Sequence, residues 1–284
     1  LRMPVSNEAD EMRSMLLEAI ATADDALMEK YFAGEEFAPE EIIEGLKKGV
    51  ASGEICPVFA GIQQTGAAVP LMVDTLLKIL PSAADAVCRF EGGEEKAFDE
   101  NGENALFVFK TIADPFVGKL SYFRVLSGKI KNDSRLINNR TGAEERLSKI
   151  MWLKGGKQED AGEIIAGDIG SVSKLGNVLT GDTLSASGKL AAAAVEFPAP
   201  TISVAVYPKA KGDEEKITQA FSRLCEEDPT IKVYTDNETH EQILSALGEQ
   251  HIDVIISRLK SKFGAEVELK KPKIAYRETI RKPV

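Results

Sequence analysis

Between Thr201 and Ala275 the spacing of the apolar residues changes period along the chain, and that alternation restricts the fold more than any other stretch. Ile202, Val204 and Val206 alternate, as in a half-buried strand. Ile217, Ala220, Phe221 and Leu224 recur at helical spacing, with Asp213 positioned to cap the start and Pro229 just beyond the end. Ile231 and Val233 alternate again before Asp236-Asn237-Glu238-Thr239, which reads as a hairpin turn. Ile243 to Leu247 is the expected return strand. Ile252, Ile255, Ile256, Leu259 and Phe263 line a second helix that Gly264 stops. Val267 and Leu269 close with a fourth strand. The order is β-α-β-β-α-β: two helices cover one face of a four-stranded sheet, and the other face or the hairpin edge is free to meet a neighbour.

Upstream the texture differs. Met12, Met15, Leu16, Ala19, Ile20, Ala23 and Leu27 predict one amphipathic helix over the first 30 residues. Pro39, followed by Glu40 and Glu41, marks the first turn of another helix. Glu54 to Ala60 is a short apolar run expected to form a buried strand, Gly61 to Gly66 a loop, and Val69 to Leu80 a helix ended before Pro81. This is the pattern of an α/β tail whose other strands lie elsewhere, and with no initiator Met the chain is expected to be a piece of a longer protein. Pro81 to Gly102 is polar and Gly-rich, hence a linker. From Asn104 to Ser187 short apolar runs separated by glycines predict a closed β-barrel. Gly188 to Pro200 reads as a second linker.

Charge is uneven in a chain of formal net charge −10. Residues 1–100 hold 20 acidic and 8 basic side chains, whereas residues 101–190 hold 10 acidic and 13 basic. A basic middle and a basic end permit local contact with nucleic acid, although the plainer reading of each charge run, and the favoured one, is a solvated face. The three cysteines, Cys56, Cys88 and Cys225, are sparse and far apart, which suits reduced thiols. No apolar run is long enough to span a bilayer, and the opening LRMPVSNEADEMRS lacks an apolar signal core.

Several stretches are familiar as a set. TIADPFVGKLSYFRVLSG (111–128), AGDIGSV (166–172) and GDTL (181–184) resemble the β-barrel second domain of translation elongation factor G. EFPAPTISVAVYPK (196–209), EEDPT (226–230), ALGEQHIDVII (246–256) and AYRETI (275–280) resemble its third domain and the exit from it. Residues 31–82, from YFAGEE to LPS, resemble the end of the family's GTPase domain. The matches are collinear and cover nearly the whole chain. The resemblance implies a multidomain α/β plus β plus α+β chain. Residues 1–82 would be the C-terminal part of a GTPase domain with a helical insertion, 83–102 a linker, and 103–188 the translation-factor β-barrel. A linker over 189–200 would lead to a ferredoxin-like βαββαβ sandwich at 201–276, with 277–284 starting a truncated fourth domain.

The function implied is that of a ribosome-binding translational GTPase that moves tRNA and mRNA during elongation. Its setting would be cytoplasmic, away from membranes, and both fragment and parent monomeric. GTP and Mg²⁺ would serve the full-length parent. This chain has no G-x-x-x-x-G-K-[ST], D-x-x-G or N-K-x-D, so no cofactor and no catalysis are expected of it. The family's last guanine loop reads G-S-A; here it is Gly61-Ile62-Gln63, a change that implies weak nucleotide contact and suggests a ribosomal-protection or release-type paralogue. A non-catalytic protein- or RNA-binding scaffold is the remaining alternative.

Expected ribosome contacts are Phe116, Gly118, Lys119 and Arg124, around a Phe-Val-Gly-Lys turn with Lys129 and Lys131 nearby; barrel packing is the competing role for Phe116 and Val117. Glu226-Glu227-Asp228 ends a helix against its dipole, which favours a contact with a partner over acid–base chemistry. His240 and His251 lack the clustered Cys/His spacing of a zinc site and suit surface or capping roles.

Overall fold

The computed structural model describes residues 7–114, 118–155, 157–210, 212–276 and 278. Contacts divide the chain into two compact units, Leu1–Ala86 and Val87–Val284.

The first unit holds four helices: α1 (Asn7–Thr22), α2 (Asp25–Phe32), α3 (Pro39–Ser52) and α4 (Val69–Ile79). The expected single helix over the first 30 residues is broken at Asp24. That residue is extended, and its carboxylate accepts the N–H groups of Ala26 (3.0 Å) and Leu27 (3.2 Å) while pairing with Lys48. An Asp side chain satisfies orphan amides better as a cap than as a helix interior, so the break follows from local chemistry. The break also turns Ile20 and Leu27 onto the same patch of α3, where a Cβ added at Gly45 would run into both. Pro39 opens α3 as expected, with the Ala38 N–H held by the Glu41 carboxylate at 2.7 Å. The strand expected at Glu54–Ala60 is absent. A strand exists only by pairing, and among the described residues this run has no neighbour; the one ladder contact nearby is an isolated bridge between Ile62 and Ala67. Val58 is consequently 91% exposed.

The second unit begins with a correction. The expected linker at 83–102 contains a hairpin of β1 (Val87–Arg89) and β2 (Glu95–Ala97), turned by Gly92 and Gly93 at positive φ. Cys88 and Phe90 are buried against Ala105 and Leu126. The second expected linker is tied down in part: Phe90 bridges to Ala192, and the Ala193 N–H donates to the Arg89 carbonyl at 2.9 Å. The Glu- and Gly-rich composition concealed two apolar side chains at strand spacing.

The barrel follows: β3 (Ala105–Asp114), β4 (Gly118–Ser127), β5 (Lys129–Lys131), β6 (Ser134–Asn138), β7 (Glu144–Leu147), β8 (Ile150–Lys154), β9 (Lys157–Asp160), β10 (Glu163–Ile165), β11 (Ile169–Ser173) and β12 (Thr183–Ser185). Eight strands form one antiparallel sheet in the order β7-β6-β12-β3-β4-β11-β8-β9, and β5 pairs with β10. Leu106, Phe123, Val125, Ile150, Val172 and Leu184 fill its concave side. The edge strands β7 and β9 do not pair with each other, so the expected closed barrel is a curled half-barrel. All four residues of β9 are exposed, and that strand has no apolar side chain to draw it inward. One buried polar network fastens β12 to the turn after β6. Asp182 receives Arg140 Nε (2.7 Å) and Nη2 (2.8 Å), Asn138 Nδ2 (2.8 Å) and the Leu179 N–H (2.9 Å).

The third part has the expected β-α-β-β-α-β order: β13 (Ile202–Pro208), α5 (Glu214–Glu227), β14 (Lys232–Thr235), β15 (Gln242–Ala246), α6 (Glu249–Phe263) and β16 (Val267–Lys270). Its antiparallel sheet runs β14-β15-β13-β16, the ferredoxin-like arrangement. Val206, Phe221, Leu224, Leu244, Ile255 and Leu259 pack between sheet and helices. Asp213 stands at the start of α5, but its side chain makes no capping bond; Gly264 ends α6 at φ +61° as expected. The far face of the sheet is partly occupied. Ser203 and Ser245 hydroxyls meet at 2.8 Å, and the Glu241 carboxylate holds both the Tyr207 hydroxyl and the Lys273 N–H (2.8 Å). Residues 277 and 279–284, and with them most of the expected start of a fourth domain, lie outside the described residues.

The thiols are all free. Cys56 is exposed and Cys88 buried, while Cys225 lies half-buried in the third-part core. Burial pushes both the Cys88 and the Cys225 thiol above the ordinary value.

Candidate functional site

The carboxylates that end α5 bring distant parts of the second unit together. Glu227, 7% exposed at its side chain, accepts the Ala113 backbone N–H from the end of β3 at 2.6 Å and the Lys262 ammonium from α6 at 2.8 Å. Glu226 pairs with Lys119 of β4 at 3.2 Å. Asp228 accepts the Thr230 N–H at 2.9 Å and faces His251 Nε2 at 3.2 Å, while His251 Nδ1 accepts the Leu247 N–H at 3.3 Å. Burial pushes the Asp228 carboxyl up, but the Thr230 hydroxyl and amide and the nearby His251 outweigh it and leave it below the ordinary value. Carboxylates at a helix C-terminus are electrostatically unfavourable by themselves. Here each is compensated by a partner outside α5, and two of the three reach the barrel. The arrangement fixes the third part against the half-barrel.

The other expected site residues are dispersed. Phe116 lies outside the described residues. Gly118 is exposed at φ +85°, a conformation that favours glycine. Lys119 is engaged by Glu226. Arg124 donates to the Gly167 carbonyl at 3.2 Å and stacks on Phe98, 4.4 Å from the ring centroid. Lys129 and Lys131 pair with Glu100 (3.1 Å) and Glu163 (3.0 Å). The structure therefore does not gather these side chains into one free basic patch. His251 joins α6 to α5, and His240 sits in the hairpin turn at φ +54°.

Gly61, Ile62 and Gln63 form an exposed loop. The Ile62 N–H donates to the Ala67 carbonyl (3.2 Å) and its carbonyl accepts from Gly66 (2.9 Å), while the Gln63 N–H has no backbone partner among the described residues. One solvent-facing amide does not make a nucleotide site, and the sequence has no lysine-bearing glycine loop for phosphates or Mg²⁺. Among the described residues no group of three or more His, Cys, Asp or Glu is placed to hold a metal ion, and no helix is long and apolar enough to cross a membrane.

Reasoning from sequence missed the partners of Glu227 and the Asp182 network. GDTL (181–184) was visible as a motif, yet Arg140 lies 42 residues away from Asp182 with no spacing rule to link them.

Comparison with protein families decides the lineage. The model for Elongation factor G domain 2 matches residues 103–187, and that for Elongation Factor G, domain III matches residues 197–271. The chain belongs to the elongation factor G family. The half-barrel and the ferredoxin-like sandwich are thus the second and third domains of that family, and the Glu226–Glu227 joint lies between them. A crystal structure of a protein from Thermus thermophilus is similar to this chain with a TM-score of 0.74 at 30% identity. The match covers 99% of this chain and 41% of that one, so the chain spans about two fifths of that relative's length.

Proposed function

We propose that this chain is the docking and coupling segment of a ribosome-binding translational GTPase that advances tRNA and mRNA during elongation in the cytoplasm. The observation that carries the reading is the pair of family domains in order, joined through Glu226 and Glu227 to Lys119 and Ala113. A charged, partly buried joint makes the third domain's orientation sensitive to events at the barrel, which is what a coupling element requires. On this reading the half-barrel docks on the small ribosomal subunit, and the third domain passes on the nucleotide state. GTP and Mg²⁺ belong to the parent's catalytic part; this segment neither binds GTP well nor hydrolyses it.

The test uses the natural full-length protein with purified ribosomes. Ribosome-stimulated GTP hydrolysis together with a one-codon shift of mRNA supports the reading. The Ile62-Gln63 departure in the guanine loop favours a second outcome, a ribosomal-protection or release-type paralogue, which would hydrolyse GTP on ribosomes without moving mRNA. Absence of any ribosome-stimulated hydrolysis leaves the non-catalytic scaffold.

A further inference from the structure

A cleft of about 320 Å³ opens where the half-barrel meets the third domain. Lys119 enters it from β4, Lys174 from the turn after β11, and Arg223 and Glu226 from adjacent turns of α5. Gly118 and Gly176 border it, and a Cβ added at either would meet nothing within 4 Å, so the rim is open. Glu226 neutralises Lys119. Lys174 and Arg223 make no ion pair or side-chain hydrogen bond among the described residues. Most of the other half-barrel lysines are matched: Lys129, Lys131, Lys149 and Lys154 each face a carboxylate. Two unmatched cations converging on one cleft therefore stand out in a chain of net charge −10. Lys174 is also held at φ +65°, in the left-handed region that disfavours a side chain, with its N–H on the Lys119 carbonyl at 3.0 Å.

We propose that this cleft binds the phosphate groups of an RNA backbone, with Lys174 and Arg223 each taking one phosphate. The guanidinium fork suits the tetrahedral oxygens of a phosphate, and the lysine supplies a second, mobile charge. Contacts of this kind position an RNA without reading its sequence. Glu226 shares the cleft, so a bound phosphate competes with it for Lys119, and occupancy bears on the joint between the two domains. The inference deepens the ribosome reading and fails separately from it.

The test measures fluorescence anisotropy of a labelled RNA of roughly 12 nucleotides on the whole chain, between about 50 and about 200 mM salt. Three probes are compared: the RNA, the same bases on an uncharged methylphosphonate backbone, and inorganic tripolyphosphate as competitor. The double variant Lys174→Gln with Arg223→Gln is expected to bind the RNA about tenfold more weakly at the lower salt and to flatten the salt slope by about 0.7 for each cation removed. Glu226→Gln should bind more tightly than the native chain, and Lys157→Gln, an exposed change elsewhere on the half-barrel, should match it. The uncharged backbone should not bind. Tripolyphosphate binding that the double variant abolishes, without RNA binding, keeps the phosphate site and assigns it to a free polyphosphate. Native-like RNA binding by the double variant, an equal loss in Lys157→Gln, or no binding of either phosphate probe overturns the site. Ribosome co-sedimentation retained by a double variant that binds RNA normally would remove the cleft and leave the ribosome reading standing.

Discussion

Replacing Asp182 by Asn leaves its shape and removes the charge that Arg140, Asn138 and the Leu179 amide surround. Burial pushes this carboxyl up, but those three partners outweigh burial and hold it below the ordinary value. A lowered folded value means stability that is present above the unfolded carboxylate value of about 4 and is lost as pH falls through the folded value. Asp182→Asn is therefore expected to cost about 2 kcal/mol near neutral pH, with the gap to the native chain narrowing below about pH 4. Trp152, the single tryptophan, lies in β8 and reports the half-barrel's urea midpoint directly. An unchanged midpoint at neutral pH would count against the network. Glu227 poses a different question, because its partners belong to other elements. Glu227→Ala removes the acceptor for both the Ala113 N–H and Lys262. Glu227→Gln keeps an acceptor for the amide. The distance distribution between dyes on the half-barrel and the third domain should broaden for the Ala variant and much less for Gln; equal distributions would show that the joint is held elsewhere.

At the scale of elements, periodicity was a sound guide wherever a segment buries one face against its own sequence neighbours. The ferredoxin-like part is the clearest instance, since Ile217, Phe221 and Leu224 of α5 meet Leu244 and Ile255 within one continuous stretch. The missed hairpin and the missing strand share one cause: each depended on a distant partner or its absence. Glu54–Ala60 has strand composition and no ladder, whereas Cys88 and Phe90 sit in linker-like composition and are buried by Leu126, far along the chain. The site was legible to the same degree. Glu226-Glu227-Asp228 stood out as carboxylates at the wrong end of a helix, but Ala113 and Lys119 could not be named as partners across more than a hundred residues. Packing of α1 and α2 on α3 offers an element-level test. Valine at Gly45 gains a few tenths of a kcal/mol of helix propensity but must displace Ile20 and Leu27, which costs about 1–3 kcal/mol. Gly45→Val should speed proteolytic cutting within residues 7–52 and leave the Trp152 signal unchanged.

For the molecule as a whole the two units should differ in rigidity. Among the described residues of the first unit, the buried apolar side chains are Ile20, Ala21 and Ile79, while Leu71 and Leu77 of α4 are exposed. The second unit holds two extensive cores. Hydrogen exchange follows local burial, so amides of α1–α4 are expected to exchange well before those of β3, β4 and β13. Uniform protection across both units would contradict this.

The positions of the three sulfurs have a practical consequence. Only a thiolate alkylates, and it must also be reachable. Cys56 is exposed, so a brief pulse of iodoacetamide should modify it in the native state. Cys225 should react when α5 lifts from the third-domain sheet, and Cys88 when the β1–β2 hairpin leaves Leu126. Peptide mass spectrometry after graded pulses would then date the opening of each region, with the native chain supplying its own chemical clock.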